Sequence, residues 1–142
     1  MKPVRVTFEA PCSPADLFAV VGDLRTYPDW LDLVRSVEAN ADDTWAVVLA
    51  ARLGPLRRSK LLTMARTAYE PDRLVRFERR EPDGRDHAAW VLEATVGATA
   101  SGSDLTMTLR YDGQLFGPLV ERVLTEQIAS ARPRLLGLVS GA

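Results

Sequence analysis

The stretch from Pro118 to Val139 limits the possible folds more than any other part of this sequence, because it is long, amphipathic and preceded by strand-like segments. Gly117 and Pro118 suit a helix start, since proline at the first helical position loses no hydrogen bond that the helix needs. A helix of about 22 residues is about 33 Å long, enough to cross a whole sheet. We therefore expect a sheet wrapped around one closing helix, with room for a cavity between them.

The N-terminal residues predict one strand followed by two short helices. Apolar residues alternate with polar ones in the pattern of a half-buried strand, at Val4, Val6 and Phe8. Ser13 and Pro14 supply a capping hydroxyl and a proline for the start of a helix, which Gly22 ends. Asp23 can cap a second short helix.

Six further strands are predicted from apolar patterns bounded by turn residues. They lie near Leu33–Ala39, Thr44–Leu53, Ser59–Tyr69, Leu74–Arg80, His87–Val96 and Leu105–Tyr111. Their connections are too short for a crossover helix, so neighbouring strands should be antiparallel. The element order β-αα-β×6-α predicts an α+β fold with a curved, antiparallel, seven-stranded sheet, and we expect residues 1–142 to form one domain.

The composition argues against several classes of function. The net charge is −1 and the pI about 5.8, whereas nucleic-acid-binding domains are usually basic, so no nucleic-acid partner is expected. No apolar run approaches the roughly 18 residues of a membrane span, and Lys2, Arg5 and Glu9 interrupt any signal-peptide core. We therefore expect a cytoplasmic protein without an integral membrane segment. One histidine and one cysteine are too few for a Cys/His zinc site, and we expect neither a metal nor a cofactor.

Apolar and aromatic side chains on the predicted inner faces are the candidate ligand-binding residues. They are Trp30, Met64, Phe77, Trp90, Met107, Phe116, Val120 and Leu124. Methionine adapts to ligands of irregular shape, and the alternative is that these residues only fill a core. The fourth predicted strand is ambiguous, because Leu62 and Met64 share a face with Lys60 and Arg66, and a register change within the strand is one solution.

Four polar residues are candidates for ligand contact or catalysis. Gln127 falls within the apolar stripe of the C-terminal helix, either as a structural amide or as a polar contact in a cavity. Arg66 would bind a carboxylate or phenolate if it points inward, and Tyr111 falls on the inner face of its strand. His87 opens the predicted sixth strand on its outer face, and it becomes an acid–base candidate only if a bulge re-aims it.

Two local features add to this pattern. Pro133 should bend the final helix, because it removes the hydrogen bond to Ala129. Arg57-Arg58 and Lys60 form a basic cluster beside a predicted turn. We expect a solvated hairpin there, and contact with a membrane surface or another anionic partner is the alternative.

Two stretches of the chain carry a resemblance to a known family. They are the N-terminal series Ala10-Pro11, Pro14-Ala15-Asp16-Leu17-Phe18, Val21 through Asp23 and Tyr27-Pro28-Asp29-Trp30, and the later Leu115-Phe116-Gly117-Pro118-Leu119. Together with the element order, they resemble the START-like helix-grip superfamily (SRPBCC), and within it the bacterial polyketide cyclase/dehydrase and lipid-transport group. The resemblance covers nearly the whole chain. It implies a helix-grip fold, and it fixes no single reaction because members use one cavity for many ligands.

Three hypotheses for function follow. The first is a non-catalytic binding or carrier protein for a hydrophobic small molecule such as a lipid, quinone or polyketide, acting as a monomer or homodimer. The alternative is a cyclase or dehydratase for a polyketone-like substrate in the same cavity, with proximity supplying much of the rate and with Tyr111, Gln127, Arg66 and His87 as the candidates that assist. The third is an interaction or regulatory module with a collapsed core. Whether the protein catalyses a reaction is left open by the sequence.

Overall fold

The computed structural model describes residues 2–53, 55–112 and 120–140 as a seven-stranded sheet with helices at both ends of the chain. The strands are β1 Lys2–Ala10, β2 Val34–Ala39, β3 Thr44–Leu53, β4 Leu56–Glu70, β5 Leu74–Arg79, β6 Trp90–Thr99 and β7 Gly102–Tyr111. The helices are α1 Pro14–Val21, a 3-10 helix Leu24–Asp29, α2 Val120–Ser130 and α3 Arg132–Ser140. The predicted order of strand, two short helices, six strands and a helical C-terminus is confirmed.

The strands form one antiparallel sheet in the order β1-β7-β6-β5-β4-β3-β2. The six strands from β2 to β7 are therefore a meander, in which each strand pairs with the next along the chain. β1 closes onto β7, with Val4 opposite Leu109 and Phe8 opposite Leu105. This pairing places the first strand beside the last, and the sheet confirms the predicted fold class.

Side chains at the predicted caps satisfy the first backbone amides of both N-terminal helices. Ser13 Oγ accepts a hydrogen bond from the Asp16 amide at 3.1 Å. Asp23 Oδ1 accepts one from the Arg25 amide at 3.0 Å, and Gly22 follows the last residue of α1, as predicted. The starts of both helices are therefore set by side-chain caps that act over two or three residues.

β4 is longer than predicted and changes register within its length. It begins at Leu56 rather than Ser59 and has 15 residues. Met64 is buried on the inner face, and a β-bulge between Arg66 and Ala68 shifts the pairing with β5. The register change that the ambiguous pattern suggested is therefore confirmed.

The C-terminal helical segment is broken, which corrects the prediction of a single helix over residues 118–139. α2 and α3 are separated by Ala131. Pro133 has no amide hydrogen to donate to Ala129, so a regular helical ladder does not continue through this point. Residues 113–119, where the helix was predicted to begin, lie outside the described residues.

The break also changes which residues of the predicted stripe are buried. Ala131 and Leu135 are buried as predicted, but Leu138 is 40% exposed. Arg134, which an unbroken helix would place in the stripe, is exposed, and its Nη1 donates to Asp32 Oδ1 at 2.6 Å. α3 thus packs with a different face from that of a continuous helix.

The core lies between the inner face of the sheet and the helices. The inner residues of β6 and β7 are buried as predicted, at Trp90, Leu92, Ala94, Val96, Leu105, Met107, Leu109 and Tyr111. Ile128, Ala131 and Leu135 of the C-terminal segment belong to the same hydrophobic cluster. Among the described helices, none is long and apolar enough to span a membrane.

Candidate functional site

Six of the predicted ligand-binding residues are buried on the inner side of the molecule. They are Trp30, Met64, Phe77, Trp90, Met107 and Tyr111, each at most 3% exposed. Trp90 and Tyr111 are opposite each other on β6 and β7, with ring centroids 6.3 Å apart. Phe116 and the side chains of Val120 and Leu124 lie outside the described residues. Burial of the six is confirmed, and their contact with a ligand stays a prediction.

Beside these buried residues is a concave surface where α1 and the 3-10 helix face β3, β4 and β5. Its volume is about 470 Å³, within the range of small-molecule pockets. We call it the aromatic cleft, because its lining includes Phe18, Trp45, Tyr69 and Phe77, together with Arg66. The Phe18 and Tyr69 rings lie 5.7 Å apart, and Trp45 meets Phe77 edge-on at 5.8 Å. Such pairs prefer tilted geometries, which fix the shape of the wall.

Arg66 supplies this cleft with a cation that has no carboxylate partner among the described residues. It lies opposite the buried Phe77 in the β4–β5 register, while its side chain remains exposed. Its guanidinium carbon lies 4.2 Å from the centre of the Tyr69 ring, a cation–π contact that orients it. The other lining arginine, Arg25, is paired with Asp23 at 3.0 Å, and their hydrogen bond lowers the pKa of Asp23. Arg66 is therefore available for an anionic group.

Sequence reasoning identified Arg66 and Phe77 of this cleft and missed the other three aromatic residues. Trp45 could have been found, because in the period-2 pattern of β3 it falls on the same face as the apolar inner residues. Tyr69 follows the β-bulge in β4, so simple alternation from Met64 assigns it to the wrong face. Phe18 lies on α1 and reaches the cleft only through the packing of that helix on the sheet.

A smaller cleft lies where α2 passes the end of β3. Its volume is about 360 Å³, and its lining includes Arg52, Glu126, Gln127 and Ser130. Gln127 is half-buried, and its Oε1 is buried without a hydrogen-bond partner among the described residues. A buried polar atom left unsatisfied costs about 1–3 kcal/mol. This environment favours the hypothesis of a polar contact in a cavity over that of a structural amide.

We expect Gln127→Leu to leave the free energy of unfolding unchanged or to raise it by about 1 kcal/mol, because a buried polar atom is removed. Chemical denaturation measures the change. Ser130→Ala, one turn along the same cleft, is the matched control and should stay within about 0.5 kcal/mol of the wild type. A loss of more than about 1 kcal/mol for Gln127→Leu would identify a structural amide instead.

The structure does not bring together the two catalytic candidates, His87 and Tyr111. β6 begins at Trp90, so the prediction that His87 opens this strand is wrong. His87 Nε2 lies 2.9 Å from Asp83 Oδ2 and its Nδ1 lies 3.4 Å from Arg79 Nη2, and these contacts hold it in the β5–β6 connection. Tyr111 is fully buried on β7. Within residues 2–53, 55–112 and 120–140, no group of three His, Cys, Asp or Glu is placed to hold a metal ion.

Comparison with known proteins agrees with this architecture. Residues 1–136 match the sequence model of a family described as polyketide cyclase/dehydrase and lipid transport. A solved structure from Deinococcus radiodurans is 19% identical with a TM-score of 0.74, and the match covers 99% of this chain and 100% of that one. A START superfamily protein from Mycobacterium smegmatis is 16% identical with a TM-score of 0.72, over 98% and 97% of the two chains. Among curated proteins, the search finds no match.

Proposed function

The chain belongs to the polyketide cyclase/dehydrase and lipid-transport family, and we propose that it binds and carries a hydrophobic small molecule of lipid, quinone or polyketide type. The observation that carries this proposal is the aromatic cleft. Its wall residue Phe77 is only 1% exposed and belongs to the central hydrophobic cluster. A ligand in the cleft would therefore border the hydrophobic core of the protein through Phe77.

Arg66 gives the proposed ligand a polar end. A guanidinium presents its N–H donors in a planar fork that matches a carboxylate or a similar oxyanion. The Tyr69 ring covers one face of the guanidinium group at 4.2 Å, and the N–H donors lie in the guanidinium plane, so the ring does not block them. The favoured ligand has an extended apolar part and one carboxylate or enolate group, and its charged end lies at Arg66.

The location of the ligand can be tested with tryptophan fluorescence. Trp45 lines the aromatic cleft and is half-buried, whereas Trp30 and Trp90 are fully buried. Oleate titrated into the delipidated wild type should change the emission, and the change should vanish in Trp45→Phe and persist in Trp90→Phe. Native mass spectrometry of freshly purified protein would detect a ligand that co-purifies. If no apolar compound binds in either experiment, the carrier function is contradicted.

We expect Arg66→Gln to weaken oleate binding by about tenfold, the equivalent of one charge-assisted contact worth about 1.4 kcal/mol. Binding of oleyl alcohol, which has the same chain and no charge, should not change. Arg110→Gln removes another exposed arginine, on β7, and should bind both ligands as the wild type does. Equal weakening for oleate and oleyl alcohol would show that Arg66 shapes the cleft rather than binding the charge.

The alternative function is a cyclase or dehydratase that uses the same cleft. Such an enzyme needs an acid or base within hydrogen-bond reach of the substrate. Of the two catalytic candidates, Tyr111 is fully buried and His87 is held by Asp83 and Arg79 in the β5–β6 connection. Neither lines the aromatic cleft, and Arg66, which does, is suited to holding a negative charge rather than to moving a proton; for this reason we favour binding over catalysis.

A further inference from the structure

The sheet carries a second concave surface at its β2 edge, formed by the start of β2 and the β3–β4 hairpin. Its volume is about 470 Å³. We call it the arginine cleft, because Arg35, Arg52, Arg57 and Arg58 line it together with Asp32. None of its described lining residues belongs to the aromatic cleft, so the two surfaces are separate.

Three strands bring the four arginines together. A β-bulge leaves Arg35 of β2 without an opposite residue on β3, which frees it from the regular alternation of the strand. Arg52 of β3 lies directly opposite Arg57 of β4. Arg58 follows on β4, opposite the buried Ala51 and on the other face of the strand from Arg57. The concentration of charge therefore depends on the bulge and on the hairpin register, and only the Arg57-Arg58 pair is adjacent in sequence.

Within the described residues, the charge of this cleft is not balanced. Asp32 is the carboxylate among its described lining residues, and its Oδ1 already accepts a hydrogen bond from Arg134 at 2.6 Å. None of the four arginines forms an ion pair within the described part of the chain. Like charges directly opposite each other destabilise an antiparallel pair, so the Arg52–Arg57 pairing is unfavourable unless an anion lies between the two guanidinium groups.

We propose that the arginine cleft binds a phosphate-bearing anion with at least two negative charges. Each guanidinium group binds two phosphate oxygens at once, and Arg35, Arg52 and Arg57 together offer more donors than one carboxylate can accept. The same phosphate chemistry is found in a lipid headgroup and in a soluble diphosphate or phosphate monoester. The proposal does not depend on the ligand of the aromatic cleft.

Two probes distinguish the sources of the phosphate. Inorganic pyrophosphate, followed by isothermal titration calorimetry at low salt, represents a soluble anion. Co-flotation with phosphatidylcholine vesicles that contain about one-fifth phosphatidic acid represents a headgroup on a membrane, with pure phosphatidylcholine vesicles as the blank. Binding of pyrophosphate supports a soluble ligand, and binding only to the phosphatidic acid vesicles supports a lipid headgroup. Binding should weaken as salt is raised, because the contacts are between charges.

The variant Arg57→Gln distinguishes a role of Arg57 in anion binding from a role in stabilising the fold. It should weaken binding of the probe by about tenfold or more, while the melting temperature of the protein without the probe stays the same or rises because a like-charge pair is removed. Arg57→Lys should retain part of the affinity, and Arg110→Gln on β7 should behave as the wild type. The proposal is overturned if neither probe binds, or if the double variant Arg35→Gln/Arg57→Gln binds the probe as the wild type does. It is also overturned if Arg110→Gln loses as much affinity for the probe as Arg57→Gln.

Discussion

Trp30→Ala should lower the free energy of unfolding by about 3–5 kcal/mol, a large share of the roughly 5–15 kcal/mol that keeps a domain folded. Trp30 follows the 3-10 helix and is 0% exposed. Its ring centroid lies 4.6 Å from that of Tyr27, and its Nε1 donates to Thr26 Oγ1 at 3.3 Å. Tyr27 itself is fully buried and donates to the Val21 carbonyl at 2.7 Å, so the neighbouring side chains are too constrained to fill the cavity.

Denaturant titration of the purified variants measures this effect. Trp45→Ala removes the same side chain from the half-buried wall of the aromatic cleft, where solvent already reaches the ring, and should cost about 1–2 kcal/mol. Trp30→Phe keeps most of the ring volume, so it should fold and allow a measurement even if the alanine variant does not. A loss for Trp30→Ala no larger than that for Trp45→Ala would contradict the role of Trp30 in the core.

Most of the fold could be predicted from the sequence because its signals are local. The Ser13 and Asp23 caps act over two or three residues, and Gly22 ends α1 where expected. The connections between strands are short turns, which leave antiparallel pairing as the simple outcome. The end of the chain was less predictable. The effect of Pro133 on the helix was foreseen, but the exposure of Leu138 depends on how α3 packs after the break.

The candidate site was harder to predict, because its residues meet through tertiary packing. Arg66 is a candidate for its charge and Phe77 for its strand face, and the structure places them opposite each other on β4 and β5. Tyr69 joins them only because the bulge in β4 reverses the alternation that the sequence suggests. Arg35 depends in the same way on the bulge in β2. A single inserted residue in a strand changes every later face assignment, and nothing in its local sequence marks it.

The two clefts lie at opposite ends of β3 and β4, and their chemistry differs. The aromatic cleft has four aromatic rings in its lining and, besides the Arg25–Asp23 pair, a cation held over the Tyr69 ring, as an apolar ligand with one charge requires. The arginine cleft has four cations and one carboxylate that is already paired with Arg134, as a multiply charged ligand requires. A ligand that prefers one cleft should therefore compete poorly for the other, and oleate and pyrophosphate should bind to the protein together.

Glu81→Gln should lower the free energy of unfolding by about 3 kcal/mol at neutral pH, because it breaks a buried ion pair and leaves the other charge without its partner. Arg79 Nε lies 2.7 Å from Glu81 Oε2, and the two side chains are only 6% and 13% exposed. The same oxygen accepts the Thr63 amide at 3.1 Å, which ties the β5–β6 connection to β4. Glu78→Gln is the matched control, since its pair with Arg76 is about one-third exposed and should contribute less than about 1 kcal/mol.

Glu81 also predicts a dependence of stability on pH. Burial alone would raise the pKa of Glu81, but the hydrogen bonds from Arg79 and the Thr63 amide outweigh it and hold the pKa below its ordinary value of 4.5. A carboxyl with a lowered pKa in the folded state contributes stability that is present above pH 4.5 and is lost as the pH falls through the folded-state pKa. Unfolding of the wild type and Glu81→Gln, measured across the acid range, should therefore converge as the pH falls. Asp23 and Asp32, whose pKa values are also lowered by arginine partners, are present in both proteins, so the difference between the two curves isolates Glu81. Parallel curves across the acid range would show that the Glu81 carboxylate has no part in acid unfolding.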